Sequence, residues 1–237
     1  MCSHESFSYV NVNLPRTGVA TLRRVDGPAR RARLAAARLY LVLEARPHGS
    51  DPGALLDAAL RGGVDVVQLR DKELPDDELV AAAAPFRRAC DVHHALFVLN
   101  DRPDLVEACG ADGVHVGQGD MPLTHARAAV GADRLVGVST HSRADIEAAT
   151  GADYLGVGTI FATPTKADDA VGLDLVRVAA EAARVPWFAI GGIDLGNVAA
   201  LAAEGAWGVA VVRAIRDAED PEAAARELRG ALTRPSA

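Results

Sequence analysis

Residues 150–157 read Thr150-Gly151-Ala152-Asp153-Tyr154-Leu155-Gly156-Val157, and this stretch decides the fold. Its first half has the makings of a helix end, because glycine supplies the left-handed C-cap. Its second half is a short apolar run of buried-strand length, entered through a small polar residue. The same phrase returns as Gly62-Gly63-Val64-Asp65, Cys109-Gly110-Ala111-Asp112 and Glu204-Gly205-Ala206-Trp207. Recurrence between helix and strand favours a closed barrel of equal units.

Working outward from these phrases, eight strands are predicted: Leu39 to Leu43, Val64 to Leu69, Leu96 to Leu99, Gly113 to Val116, Leu135 to Val138, Tyr154 to Val157, Trp187 to Ile190 and Gly208 to Val212. Ala-rich helical stretches follow them at Gly53 to Arg61, Asp76 to Cys90, Pro103 to Cys109, Thr124 to Val130, Arg143 to Thr150, Leu173 to Ala183, Leu195 to Glu204 and Pro221 to Leu232. A doubly wound open sheet is the rival architecture, and eight successive units tip the balance to a single (β/α)8 TIM barrel, an α/β fold, over residues 38–237. Residues 1–37 form an N-terminal extension whose Arg-rich stretch, Arg16 to Arg38, could be a mobile arm, a surface helix or sequence upstream of the natural start, and whose plainest reading is a disordered, solvated tail that the catalytic domain can do without.

With 237 residues and 49% hydrophobic composition, the chain can bury one sizeable core. The formal charge of -7 and the scattering of both signs disfavour a nucleic-acid partner. No apolar run reaches membrane-spanning length, and Met1 to Asn13 lack the order of a secretory signal. Cys2, Cys90 and Cys109 have neither metal-ligand spacing nor an even number for pairing, so a reducing cytoplasm is expected. Small-molecule substrates are then the expected partners, and the Ala-rich outer helices leave room for a homo-oligomer.

In a parallel barrel the chemistry sits where the strands' C-terminal ends meet the following loops. After the second strand, period-two alternation puts Gln68, Arg70 and Lys72 on one side, a cluster suited to an anionic leaving group. The bland alternative is a surface ion pair of this segment with Asp71 or Glu73. Asp101 and Asp120, from adjacent strand ends, could face one ion, and hard carboxylate oxygens suit Mg2+. Asn100 could hold the organic part of the same substrate. Ser139 lacks a Gly-x-Ser-x-Gly elbow, which disfavours a serine hydrolase. His115 and His141 are candidate proton carriers or packed loop histidines, the second reading being preferred for His141, while His93 and His94 read as helix-end residues. The hydroxyl-rich run Thr163-Pro164-Thr165-Lys166 suits a loop folding over an anion, and Gly191-Gly192 with a helix start after strand eight suits a bound phosphate.

Taken in order, Gln68-Leu69-Arg70-Asp71-Lys72, Asn100-Asp101-Arg102, His115-Val116-Gly117-Gln118-Gly119-Asp120, Gly137-Val138-Ser139, Thr163-Pro164-Thr165-Lys166 and Ala189-Ile190-Gly191-Gly192-Ile193 closely resemble the thiamine phosphate synthase family, from about Leu39 to Leu232. The resemblance implies a TIM barrel that joins 4-amino-2-methyl-5-(diphosphooxymethyl)pyrimidine to a thiazole phosphate, plain or carrying a carboxylate. Carried over by motif, Gln68, Leu69, Arg70, Asp71, Lys72, Asn100, Ser139 and Lys166 would bind the pyrimidine diphosphate. Asp101 and Asp120 would hold Mg2+, and Thr163, Pro164, Thr165, Gly192, Val212 and Arg213 would line the thiazole phosphate site. Val212-Arg213 departs from the Ile-Ser usual in that family, which is tolerable where backbone N-H groups bind the phosphate. The expected reaction is a dissociative substitution, with Arg70, Lys72 and Lys166 as the catalytic cations. Two rivals are weighed: a thiazole tautomerase, which would need a proton-shuttling histidine and no metal, and a noncatalytic phosphate sensor, for which the charged strand ends would have no purpose.

Overall fold

In a computed structural model of the chain, which describes residues 26–162 and 171–233, the recurring phrases do what their residues predict. The glycine before each strand has positive φ, +104° at Gly63, +65° at Gly110, +94° at Gly151 and +85° at Gly205, and so ends the preceding helical segment or turn. Three of the strands that follow are entered through Asp65, Asp112 and Asp153.

Eight parallel strands close in sequence order: β1 (Leu39–Leu43), β2 (Val66–Leu69), β3 (Leu96–Asn100), β4 (Gly113–Val116), β5 (Leu135–Thr140), β6 (Tyr154–Val157), β7 (Trp187–Ile190) and β8 (Gly208–Val211), with β8 pairing back to β1. The barrel is therefore a (β/α)8 TIM barrel and the open-sheet alternative falls. The helices are α1 (Gly27–Ala36), α2 (Gly53–Arg61), α3 (Asp76–His93), α4 (Leu123–Val130), α5 (Arg143–Ala148), α6 (Leu173–Ala182), α7 (Val198–Ala203), α8 (Arg213–Arg216) and α9 (Pro221–Thr233). The helix expected from Pro103 to Cys109 shrinks to one 3-10 turn, Pro103–Leu105, and the one expected from Leu195 forms only from Val198. Among the described residues no helix is long and apolar enough to cross a membrane.

Alternation along the strands divides the core in two. Residues such as Leu41, Leu43, Val67, Leu69, Val114 and Val136 face the helices and form the larger cluster. Tyr40, Val42, Val66, Leu96, Val98, Leu135, Tyr154 and Phe188 form a second cluster that fills the barrel interior. Leu34 and Ala37 belong to this second cluster, so α1 closes the N-terminal end of the barrel.

The expectation of a solvated tail therefore fails over Gly27–Ala36. Asp26 caps the helix, its Oδ1 accepting from the Ala29 N-H at 2.9 Å, with Pro28 in the first turn. Arg30, only 7% exposed, donates from Nε to Asp112 Oδ1 at 2.9 Å, and Arg31 donates to Asp153 Oδ1 at 2.7 Å. Each acidic residue of the phrases also accepts a backbone N-H from a neighbouring strand: Asp65 from Leu39, Asp112 from Phe97 and Asp153 from Val136. Arg229, Arg87 and Arg127 complete the pairs with Asp65, Asp112 and Asp153 respectively. The N-terminal rim is thus a set of carboxylates tied to arginines, and charged groups this buried persist only when paired.

Candidate active site

The opposite rim carries the strand-end residues. At the end of β2, Leu69 packs into the helix-facing core, so its side chain is turned away from the mouth, while Arg70 and Lys72 just beyond the strand are exposed. The Arg70 N-H still donates to Leu43 O at 2.9 Å, which holds the segment extended beside β1. Gln68 is 4% exposed and its amide nitrogen donates to the Tyr40 hydroxyl at 2.8 Å. Asp71 turns its Oδ1 to the Glu73 N-H at 3.3 Å. Lys72 crosses to the next two strand ends, with Nζ 2.8 Å from Asp101 Oδ2 and 3.9 Å from Asp120 Oδ1, and not to Asp71 or Glu73.

Asp101 sits at φ +60°, a left-handed conformation that aspartate tolerates better than most side chains. Its N-H donates to His115 O at 2.8 Å and its Oδ2 accepts from Asn100 Nδ2 at 2.6 Å. Asp120 folds back so that Oδ2 accepts from the Gly117 N-H at 3.1 Å, leaving Oδ1 toward Lys72. A hollow of about 170 Å³ opens here, lined by Asp71, Lys72, Leu74, Leu79, Asn100, Asp101 and Arg102. Arg102 is engaged at the rim, bidentate to Asp76 at 2.6 and 2.8 Å and bonded to Asp104. A larger crevice, about 600 Å³, lies between α5 and α6 and shares no residue with this site.

Asp101 and Asp120 both reach one cationic nitrogen, so the donor set suits a small hard cation in that place. Among the described residues no three His, Cys, Asp or Glu side chains gather to enclose a metal. A cation here would rest on two carboxylates and take its remaining oxygens from substrate and water, as Mg2+ does.

Ser139 lies in β5, its Oγ 3.0 Å from His115 Nε2, and its carbonyl accepts from Gln118 Nε2 at 2.6 Å. His141 donates its N-H to Asp145 Oδ2 at 2.9 Å and places Nδ1 on the Gly158 carbonyl, the packed loop role expected of it. His93 pairs with Asp57 at 3.1 Å, and His94 is the left-handed C-cap of α3.

Around the far side of the mouth, Gly192 has φ +61°, and Val212 precedes α8, whose first residue is the exposed Arg213. Thr163, Pro164, Thr165 and Lys166 lie outside the described residues. Sequence reading missed Tyr40 and Tyr154, whose buried hydroxyls bond each other at 3.0 Å. The signal was available: a tyrosine inside an apolar strand brings a hydroxyl that needs a partner.

A protein-family profile described as thiamine monophosphate synthase matches residues 39–215. A protein of Streptomyces avermitilis named thiamine-phosphate synthase is 51% identical over 203 residues, spanning 84% of this chain and 94% of its own length. One from Mycobacterium leprae with the same name is 47% identical over 221 residues, spanning 86% and 94%. The solved structure of a thiamine phosphate pyrophosphorylase from Pyrococcus furiosus superposes with a TM-score of 0.76 at 33% identity, covering 86% of this chain and 97% of that one.

Proposed function

The chain belongs to the thiamine monophosphate synthase family, and from that membership we propose that its strand-end site joins an aminopyrimidine methyl diphosphate to a thiazole phosphate, releasing pyrophosphate. It is an enzyme, a transferase. The C-O bond between the pyrimidine methylene and the diphosphate breaks with its electron pair leaving on oxygen, and the thiazole nitrogen forms the new C-N bond. That nitrogen carries no proton to remove, so charge stabilisation and positioning are what the protein must provide.

The observation that carries this reading is the convergence of Lys72, Asp101 and Asp120 from three successive strand ends. Asp101 and Asp120 are proposed to hold Mg2+, which when bound would supply positive charge to the diphosphate oxygens. Lys72 then exchanges its carboxylate partners for the leaving group, where Arg70 and Lys166 join it. Gln68, Asn100 and Ser139 are assigned to the pyrimidine diphosphate, with Asp71 shaping the hollow. Thr163, Pro164, Thr165, Gly192, Val212 and Arg213 are assigned to the thiazole phosphate.

A cytoplasmic setting is part of the same proposal. Cys90 and Cys109 are buried free thiols, and burial pushes them up to about 12 and about 11, so both stay protonated and inert. Incubating the protein with both substrates, with Mg2+ and after chelation, tests the reading. Thiamine phosphate formed only with metal is the expected result. Product in thoroughly chelated samples would sink the metal assignment, and its absence throughout would sink the reaction.

A further inference from the structure

Beneath the mouth, five side chains from five strands form one hydrogen-bonded file across the barrel. Gln68 Nε2 donates to the Tyr40 hydroxyl at 2.8 Å, and the Tyr40 and Tyr154 hydroxyls are 3.0 Å apart. The Tyr154 hydroxyl is 3.2 Å from His115 Nδ1, and His115 Nε2 is 3.0 Å from Ser139 Oγ. The file begins and ends on two residues assigned above to the pyrimidine diphosphate, while Tyr40, Tyr154 and His115 have no place in that assignment.

The file is built into the core. A Cβ at Gly137 would fall 2.1 Å from Tyr154 Cζ, and one at Gly156 would fall 3.1 Å from His115 Cε1, so bare positions on β5 and β6 make room for the two rings. Phe188 sets its ring edge-on to Tyr40 and Tyr154, with centroids 5.3 and 6.0 Å away, which fixes both phenols.

The file also has a direction. With the Gln68 nitrogen donating, the Tyr40 oxygen is an acceptor and its own proton passes to Tyr154. Burial holds both phenols above the ordinary tyrosine value, so each keeps a single proton to give. Tyr154, having accepted, gives its proton to His115 Nδ1, which must be bare, and the imidazole proton then lies on Nε2 toward Ser139. If His115 Nδ1 also donated to Tyr154, one buried O-H would have nowhere to go. Only turning the Gln68 amide over reverses the whole file. The orientation of that amide and the tautomer of His115 are therefore coupled across the barrel.

We propose that Tyr40, Tyr154 and His115 are positioning residues that set the donor and acceptor pattern offered to the pyrimidine. They engage the Gln68 nitrogen and so reserve its amide oxygen, an acceptor, for an exocyclic amine. They occupy the Ser139 oxygen and so reserve its hydroxyl proton for an acceptor atom of the same substrate. This inference rests on the assignment of Gln68 and Ser139 made above.

Two measurements test it. In the unaltered protein with the pyrimidine diphosphate bound, nitrogen NMR should find the His115 ring proton on Nε2 and none on Nδ1, and a proton on Nδ1 overturns the proposal. In kinetics, Tyr154→Phe should raise the KM for the pyrimidine diphosphate about tenfold, the worth of one well-made hydrogen bond, with the thiazole phosphate KM within about twofold. His115→Gln, which can still accept and donate, should recover most of what His115→Phe loses. An unmoved pyrimidine KM in folded Tyr154→Phe overturns the file. Should that variant not fold, Tyr40→Phe and the His115 tautomer decide. Gln68→Ala and Ser139→Ala separate the two levels. If they leave that KM unchanged, the site assignment itself fails and the proposal with it. If they raise it and Tyr154→Phe does not, only the file is lost.

Discussion

Asp101 shows what a single residue contributes and how a test of it must be designed. Its φ of +60° at the end of β3 would strain most replacements, so Asp101→Ala would mix backbone cost with lost chemistry. Asparagine tolerates that region nearly as well and keeps the side-chain oxygen. Asp101→Asn is therefore expected to lower turnover by about a hundredfold or more with its melting temperature nearly unchanged, since the charge it removes lies at the strand-end mouth, where we propose the leaving group binds, and not in the core. A folded variant with ordinary Mg2+-dependent turnover would remove Asp101 from the metal site. Gly192 is a different case. Beyond its φ of +61°, a Cβ there would lie 2.8 Å from Phe161 Cβ and 2.9 Å from Ala162 O, at the start of the loop after β6. Gly192→Ala is expected to lower stability by about 1–3 kcal/mol as well as thiazole phosphate affinity, so thermal melts must accompany its kinetics. Lys72→Ala should act mainly on kcat if, as proposed, the charge it supplies matters most as pyrophosphate departs. Lys72, Asp101 and Asp120 were legible because polar residues at strand ends stand out against apolar runs. Tyr40 and Tyr154 were not, because inside those runs they look like core, and only strand register brings their hydroxyls together.

At the scale of elements, recurring glycine-and-aspartate phrases make the strands readable, while α1 reads more readily as a solvated tail than as a surface helix because its arginines are surface residues by composition. What composition cannot supply is the partner, here Asp112 and Asp153 at the foot of β4 and β6. Deleting residues 1–33 removes Arg30 and Arg31 and leaves Asp112 short of a buried cation, and is expected to cost roughly 3 kcal/mol. A truncated protein that melts with the full chain would show that α1 is dispensable after all. The same pairing has a pH signature. Burial pushes the Asp112 carboxyl up, but Arg87, the Phe97 N-H and Arg30 together hold it below the usual carboxylate range. A depressed folded pKa means stability that is full above the unfolded value, about 3.9, and lost as pH falls through the folded one. The stability difference between the unaltered protein and Asp112→Asn should thus be largest near neutrality and shrink below about pH 4. A difference independent of pH would mean the carboxylate charge is not what matters.

At the scale of the whole molecule, the buried ion pairs and the proposed site lie on opposite rims of one barrel. The N-terminal rim is closed by α1 and its paired carboxylates, whereas the C-terminal rim leaves Arg70, Lys72 and Asp120 in contact with water. The Asp112 N-H meets the Phe97 carbonyl, and from Phe97 to Asp101 is four residues of extended chain, about 13 Å. Groups farther apart than about 7–10 Å with no shared partner usually act additively. Among the described residues, the side-chain file from Gln68 to Ser139 includes neither aspartate, and Asp101 meets it only through its N-H on the His115 carbonyl. Asp112→Asn should therefore lower the melting temperature and spare kcat/KM, and Asp101→Asn should do the reverse. The double variant should show the sum of the two stability changes and the product of the two rate ratios, within about 0.5 kcal/mol. Coupling well beyond that would mean that the barrel transmits strain from one rim to the other, and that the strand-end carboxylates depend on how tightly the far end is closed.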